Sequence, residues 1–158
     1  MKMHWVVFAA LSALFAGLTA VLAKMGVANV SSNLATFIRT CVVILFLFGI
    51  VMATGEIKAM GTLSSRNWWF LAFSGIATGL SWLCYFAALK LGPVSSVAPI
   101  DKLSFVLAMV LGVILLHEKV TKLTWLGAAF ILIGALLTLP TVQESIGKVF
   151  SAKVSAGG

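Results

Sequence analysis

Charge is what this 158-residue chain has least of: Asp, Glu, Lys and Arg make up 9% of it, against 61% hydrophobic residues. Soluble domains carry about a quarter charged residues and just under half apolar ones. So apolar a chain cannot coat itself with a water-compatible surface, which excludes a soluble domain and leaves an integral membrane protein. Acids are scarcer still, four against eleven bases, for a net charge of +7. The bases stand singly between apolar runs and form no basic stripe with interleaved aromatics, so nucleic acid is not an expected partner. Attraction to anionic lipid headgroups accounts for the excess. The two cysteines, Cys41 and Cys84, lie inside apolar runs without CxxC or Cys/His spacing and read as small core residues. No nucleophile and base, carboxylate pair or metal-ligand set stands at a mechanistic spacing, so neither an enzyme nor a metal or cofactor is expected.

What is present is a series of apolar runs long enough to cross a hydrocarbon core, which takes about 20 helical residues. They cover residues 5–23, 34–53, 68–89, 94–116 and 123–139, the last closed by Pro140 and followed by a polar tail, 141–158. The first run, behind Lys2 and with Val21 and Ala23 resembling a cleavage site, invites a signal-peptide reading; its length and the four comparable runs that follow favour a first transmembrane helix. Ala9, Ala13 and Gly17 place small residues on one stripe of that helix, and Gly75 with Gly79 form a GxxxG pair in the third. Trp68 and Trp69 mark the membrane interface where the third run begins. Thr78, Trp82 and Tyr85 share one face of it, either packed core or an aromatic wall for a substrate. The tight connection Lys90–Pro93 makes the third and fourth spans antiparallel neighbours. In the tail, Val142, Ile146 and Phe150 suit one weak amphipathic turn at the interface.

Ionisable groups inside these runs need a reason, because an ionised group in lipid costs at least about 2.5 to 3.5 kcal/mol. From Val94 to Leu116 only Asp101 and Lys102 are ionisable, so both should face protein or a water-filled cavity. Pro99 disfavours a helix interior, which predicts an extended or kinked segment before it, a regular helix starting near it, and Asp101 in the first turn, where the helix dipole favours negative charge. Ser104, Ala108 and Gly112 then form another close-packing stripe, and His117, Glu118 and Lys119 end the span, with His117 read as interfacial. Arg39 stands roughly 8 Å into the second span at 1.5 Å per residue, where it either snorkels to the headgroups or meets Asp101. On this count Arg39, Asp101 and Lys102 share one depth. One base would hold Asp101 as a structural pair, leaving the other to attract an anionic group on a substrate.

Five spans put the two termini on opposite sides, so a second copy joined tail to head would be inverted, a plan that transporters use. The bases are balanced: Lys2, Lys58, Arg66, Lys119 and Lys122 fall on the side of the N-terminus, and Lys24, Lys90, Lys102, Lys148 and Lys153 on the other. The positive-inside rule therefore gives little orientation signal. Either the chain inserts both ways and pairs with itself, or a homologous partner fixes one orientation.

The stretch ALKLGPVSSVAPIDKLS, followed by LHEKVTKLTWLGAAFILIGALL, resembles one repeat of the EamA-type drug/metabolite transporter superfamily, and the length resembles its five-helix bacterial and archaeal branch. The resemblance runs from the first span through Leu139. It rests on the Gly92–Pro93 turn, on Glu118 in place of a Gly-Glu-Arg-like element, and on Trp125, Leu126 and Gly127 opening the fifth span. His117 and Lys119 depart from that element on either side of Glu118. The resemblance implies an all-α integral membrane protein of five transmembrane helices, one half of an inverted-repeat transporter. It would be a multi-pass permease of the plasma membrane that moves a small metabolite or drug-like solute by alternating access, as a homodimer or with a homologous half. Arg39, Trp82, Tyr85, Asp101 and Lys102 are then the candidates for substrate binding, and Pro99, Ser104, Ala108, Gly112 and Glu118 for gating or the interface. A different class, a non-transporting subunit that stabilises or regulates a homologous half, fits the same spans. Small multidrug resistance proteins resemble a four-helix chain with an acid in the first helix, and this first helix has none.

Overall fold

The structure, a computed structural model, describes residues 4–156, and the side chains of residues 5–148. Lys2, Phe150 and Lys153, which enter the charge count and the tail reading above, have side chains outside the described residues. The described residues are helical, with no strand among them, and divide into two compact units, Met1–Leu91 and Gly92–Gly158.

The first unit holds three long helices, α1 (His4–Val27), α2 (Ser32–Thr54) and α3 (Ser65–Leu91), with a short 3-10 helix, Glu56–Thr62, between the last two. Their ends are set by local chemistry. The Ser31 hydroxyl accepts the Leu34 N–H at the start of α2, and Gly55 closes it with φ +74°, donating its N–H to the Met52 carbonyl; glycine takes that left-handed turn without a Cβ clash. Ser64 accepts the Asn67 N–H at the start of α3. Inside α2, Thr36 and Thr40 return their hydroxyls to the carbonyls of Ser32 and Thr36, both at 2.8 Å, so these polar groups enter the apolar span satisfied.

α3 packs against both α1 and α2, and the packing is confined to one end. Ala20, Ala23 and Val27 of α1, Thr36 of α2, and Phe86 and Leu89 of α3 are the buried residues of this unit. They lie where α1 and α3 end and α2 begins. Two lysines tie that end together: Lys24 donates to the Leu89 carbonyl and Lys90 to the Val30 carbonyl at 3.0 Å. Both cations sit in last helical turns, where the dipole favours them. At the other end, from Trp5 to Leu18, Ile44 to Ile50 and Trp68 to Ile76, the side chains are exposed, as lipid-facing surface requires no polar cover. Cys84 is exposed as well, so its reading as a core residue is corrected; Cys41 is half-buried. The small residues Ala9 and Ala13 are exposed, and a Cβ on Gly17, Gly75 or Gly79 would meet nothing within 4 Å. Neither stripe is used inside this unit.

In the second unit, α4 (Val94–Asp101), α5 (Leu103–Leu115), α6 (Lys122–Leu137) and α7 (Pro140–Ala156) follow Gly92 and Pro93. α6 packs on both α4 and α5. Three expectations are corrected here. The helix begins at Val94, capped by Pro93, and carries Pro99 in its interior, with the break three residues later at Lys102. Asp101 therefore ends α4 and does not occupy a first turn. The Lys102 N–H reaches both the Ala98 and Pro99 carbonyls, a tightened turn that closes one helix and lets the next begin. The tail is a 17-residue helix, since Pro140, read as a stop, serves as the first residue of α7. The fifth apolar helix, capped by the Thr121 hydroxyl, has 16 residues, about 24 Å of rise. It bends by 78° into the start of α7. Among the described residues, four helices are long and apolar enough to cross a membrane, α4 and α5 counting together, and a fifth crossing exists if the bent pair α6 and α7 is one span.

Candidate functional site

Arg39 is the one cation set well inside a span of the first unit, and the helix packing decides what it meets. α2 carries it one turn beyond Thr36, the buried contact of α2 with its neighbours. There α3 presents Trp82 and, four residues on, Phe86. The guanidinium carbon lies 4.2 Å from the Trp82 ring centroid and 5.7 Å from that of Phe86. Both are within cation–π range, and a desolvated contact of this kind contributes up to about 2 kcal/mol. A stacked guanidinium keeps its edge, and hence its N–H fork, free for a planar acceptor.

Beside this stack, an open groove of about 350 Å³ runs between α1 and α2. Thr19, Leu22, Ala23 and Gly26 line it from α1, Ala35, Ile38 and Arg39 from α2, with Val30 and Phe86 at its edges. Its wall is apolar apart from Arg39 and the Thr19 hydroxyl. That size falls within the usual range for small-molecule sites. Gly26 lacks any neighbour within 4 Å of a built Cβ, so the groove is not filled at that point.

Of the other candidates on α3, Tyr85 is half-buried and meets the Phe86 ring edge-on, with centroids 6.4 Å apart. Thr78 is exposed and bonds back to the Ser74 carbonyl at 2.9 Å. The face written as Thr78, Trp82 and Tyr85 thus meets Arg39 at Trp82, by stacking, and at Tyr85, by an electrostatic interaction, and not at Thr78. Phe86, absent from the sequence candidates, is both core and groove wall. Its signal was its position four residues after Trp82, on the same face.

Asp101 and Lys102 belong to the second unit, where the Lys102 ammonium lies 3.4 Å from an Asp101 carboxylate oxygen, the lysine exposed and the aspartate half-buried. The Ser96 hydroxyl donates to the Thr138 carbonyl at 3.1 Å, joining α4 to the end of α6. Pro99 sits half-buried one turn before the break. Ser104 and Ala108 are exposed, whereas Gly112 is buried. Its neighbour is Glu118: a Cβ built on Gly112 would lie 3.0 Å from Glu118 Oε2. The chain reaches that contact by reversing after α5. His117 takes φ +54°, and the N–H groups of Leu116 and Glu118 both donate to the Gly112 carbonyl, at 3.0 and 3.2 Å. Left-handed backbone is the conformation glycine adopts freely, which is why His117 can stand where the resembling element has glycine: histidine is among the residues that tolerate it best.

Comparison with known proteins agrees with this architecture. Residues 3–139 match the model of the EamA-like transporter family. A Sinorhizobium sp. protein described as an uncharacterized transporter in the cobO 3' region is 53% identical over 137 residues, covering 87% of this chain and 97% of that protein. No solved structure matches the chain.

Proposed function

Because the chain belongs to the EamA-like transporter family and is a multi-pass membrane protein, we propose that it is one half of a secondary transporter. It moves a small organic solute across the plasma membrane by alternating access, without chemical conversion. Five crossings are part of this reading, the bent pair of α6 and the start of α7 making the fifth. Two copies in opposite orientations then complete the carrier, consistent with the balanced bases on the two sides. The observation that carries the reading is the open groove beside Arg39: a cavity of small-molecule size with a charged group at its wall, placed in the membrane-spanning part of a transporter-family chain.

The test is efflux from proteoliposomes that contain only this chain, loaded with a defined mixture of amino acids, sugars and organic acids and followed by mass spectrometry. Release of a component faster than from protein-free vesicles supports the reading. No release from this chain alone, but release once a homologous half is added, favours the subunit that stabilises or regulates another half.

A further inference from the structure

Arg39 carries a full charge into a membrane-spanning helix, and its own unit offers it no counter-ion. Glu56 is the sole acid in residues 1–91, and it lies beyond the C-terminus of α2, seventeen positions and roughly 25 Å of helix from Arg39. Among the described residues the one ion pair joins Asp101 to Lys102. What Arg39 has, besides an electrostatic interaction with Tyr85, is a pair of ring faces, Trp82 and Phe86, which hold the guanidinium plane in place. A ring face attracts the cation without neutralising it. Arg39 lines a groove whose remaining surface is apolar apart from Thr19.

From this juxtaposition we infer that the groove takes a small monoanion with an apolar body, its carboxylate, sulfonate or phosphate oxygens on the Arg39 fork and its hydrocarbon part along Leu22, Ala23 and Ile38. The inference rests on the transporter reading and narrows its substrate class. A guanidinium held by stacking matches an oxyanion bidentately, and burying the apolar body in the groove adds a contribution in proportion to its area. A neutral solute of the same shape leaves the fork unpaired, and a cation is repelled. The same oxyanion chemistry is offered by a lipid headgroup, so the test separates the two sources.

The test uses the intact chain in a neutral detergent and three probes of similar size: benzenesulfonate, benzenesulfonamide and benzyltrimethylammonium. Binding is read by tryptophan fluorescence, since Trp82 lies against the binding group. The expected result is a saturable change with benzenesulfonate alone, at least about tenfold tighter than with either control. The signal disappears in Trp82→Phe and persists in Trp125→Phe, whose ring belongs to the other unit. Arg39→Gln should weaken binding by about tenfold or more, and Arg39→Lys, which keeps the charge and loses the fork, by less. Equal response to all three probes by the unaltered chain overturns the inference whether or not the variants fold, as does unchanged binding by a monodisperse Arg39→Gln. In nanodiscs, loss of the benzenesulfonate signal when phosphatidylglycerol replaces phosphatidylcholine makes the lipid headgroup the ligand and overturns the solute assignment. Each of these negative results leaves solute efflux by the chain standing as a separate question.

Discussion

Arg39 rests on Trp82, its guanidinium carbon 4.2 Å from the indole centroid. The contact joins α2 to α3 at the margin of the unit's buried end, so it should contribute to stability as well as to binding. Trp82→Leu should destabilise the protein by about 1 kcal/mol more than Trp82→Phe, which keeps a ring under the cation. A double-mutant cycle of Trp82→Leu with Arg39→Gln, followed by thermal unfolding in detergent, isolates the contact. Additivity within about 0.5 kcal/mol would show that the stack carries no energy.

Glu118 and Gly112 form a second coupled pair. Gly112→Ala forces the Glu118 carboxylate aside, and Gly112→Leu cannot be accommodated without opening the reversal after α5. Because the atom met is the far end of a flexible, exposed side chain and alanine is favoured over glycine in a helix interior by about 0.5 to 1 kcal/mol, the expected pattern is little net change for Gly112→Ala in the native background and a gain of about that size once Glu118→Ala has cleared the space, measured by the same unfolding assay. Equal losses in both backgrounds would place the packing partner of Gly112 elsewhere, for instance on another copy of the chain.

His117 is a sensitive reporter of the same reversal. Its φ of +54° costs an L-residue roughly 1 to 2 kcal/mol, so His117→Gly should hold or raise the melting temperature. His117→Val, β-branched at a left-handed position, should lower it markedly. If both variants melt alike, the left-handed turn is not present in the membrane.

These pairs mark how far the residue order alone reached. Apolar runs of membrane-crossing length announce α1, α2 and α3, because in lipid a backbone must satisfy its own hydrogen bonds and helices do so within one segment. In the charged and proline-bearing stretch the residue order misleads in detail. Pro99 suggests a start, yet α4 begins at Val94 and carries the proline in its interior, breaking three residues after it at Lys102. Pro140 suggests an end and is a beginning. For Arg39, charge arithmetic points to Asp101 or to headgroups. The rings of Trp82 and Phe86 do not register in a count of charges, although their spacing on α3 was visible. Glu118 folding onto Gly112 depends on a backbone reversal at His117 that spacing does not encode.

Orientation gives a prediction of a different kind. Because the bases on the two sides balance on the five-crossing reading, a reporter fused to the C-terminus should register both orientations, and two added lysines on one side should shift the ratio towards that side inside. A single orientation that ignores the added charge would rule out self-made inversion and require an oppositely oriented homologue.

The central claim, a carrier whose groove selects an anion through Arg39, is tested most directly by flux in proteoliposomes containing only this chain. Benzenesulfonate is ionised at all accessible pH values and crosses lipid poorly, so its movement reports the protein. The prediction is a benzenesulfonate flux at least about tenfold above that of benzyltrimethylammonium, with the difference collapsing in Arg39→Gln. Equal fluxes of the anion and the cation, or an anion preference that survives Arg39→Gln, would contradict it.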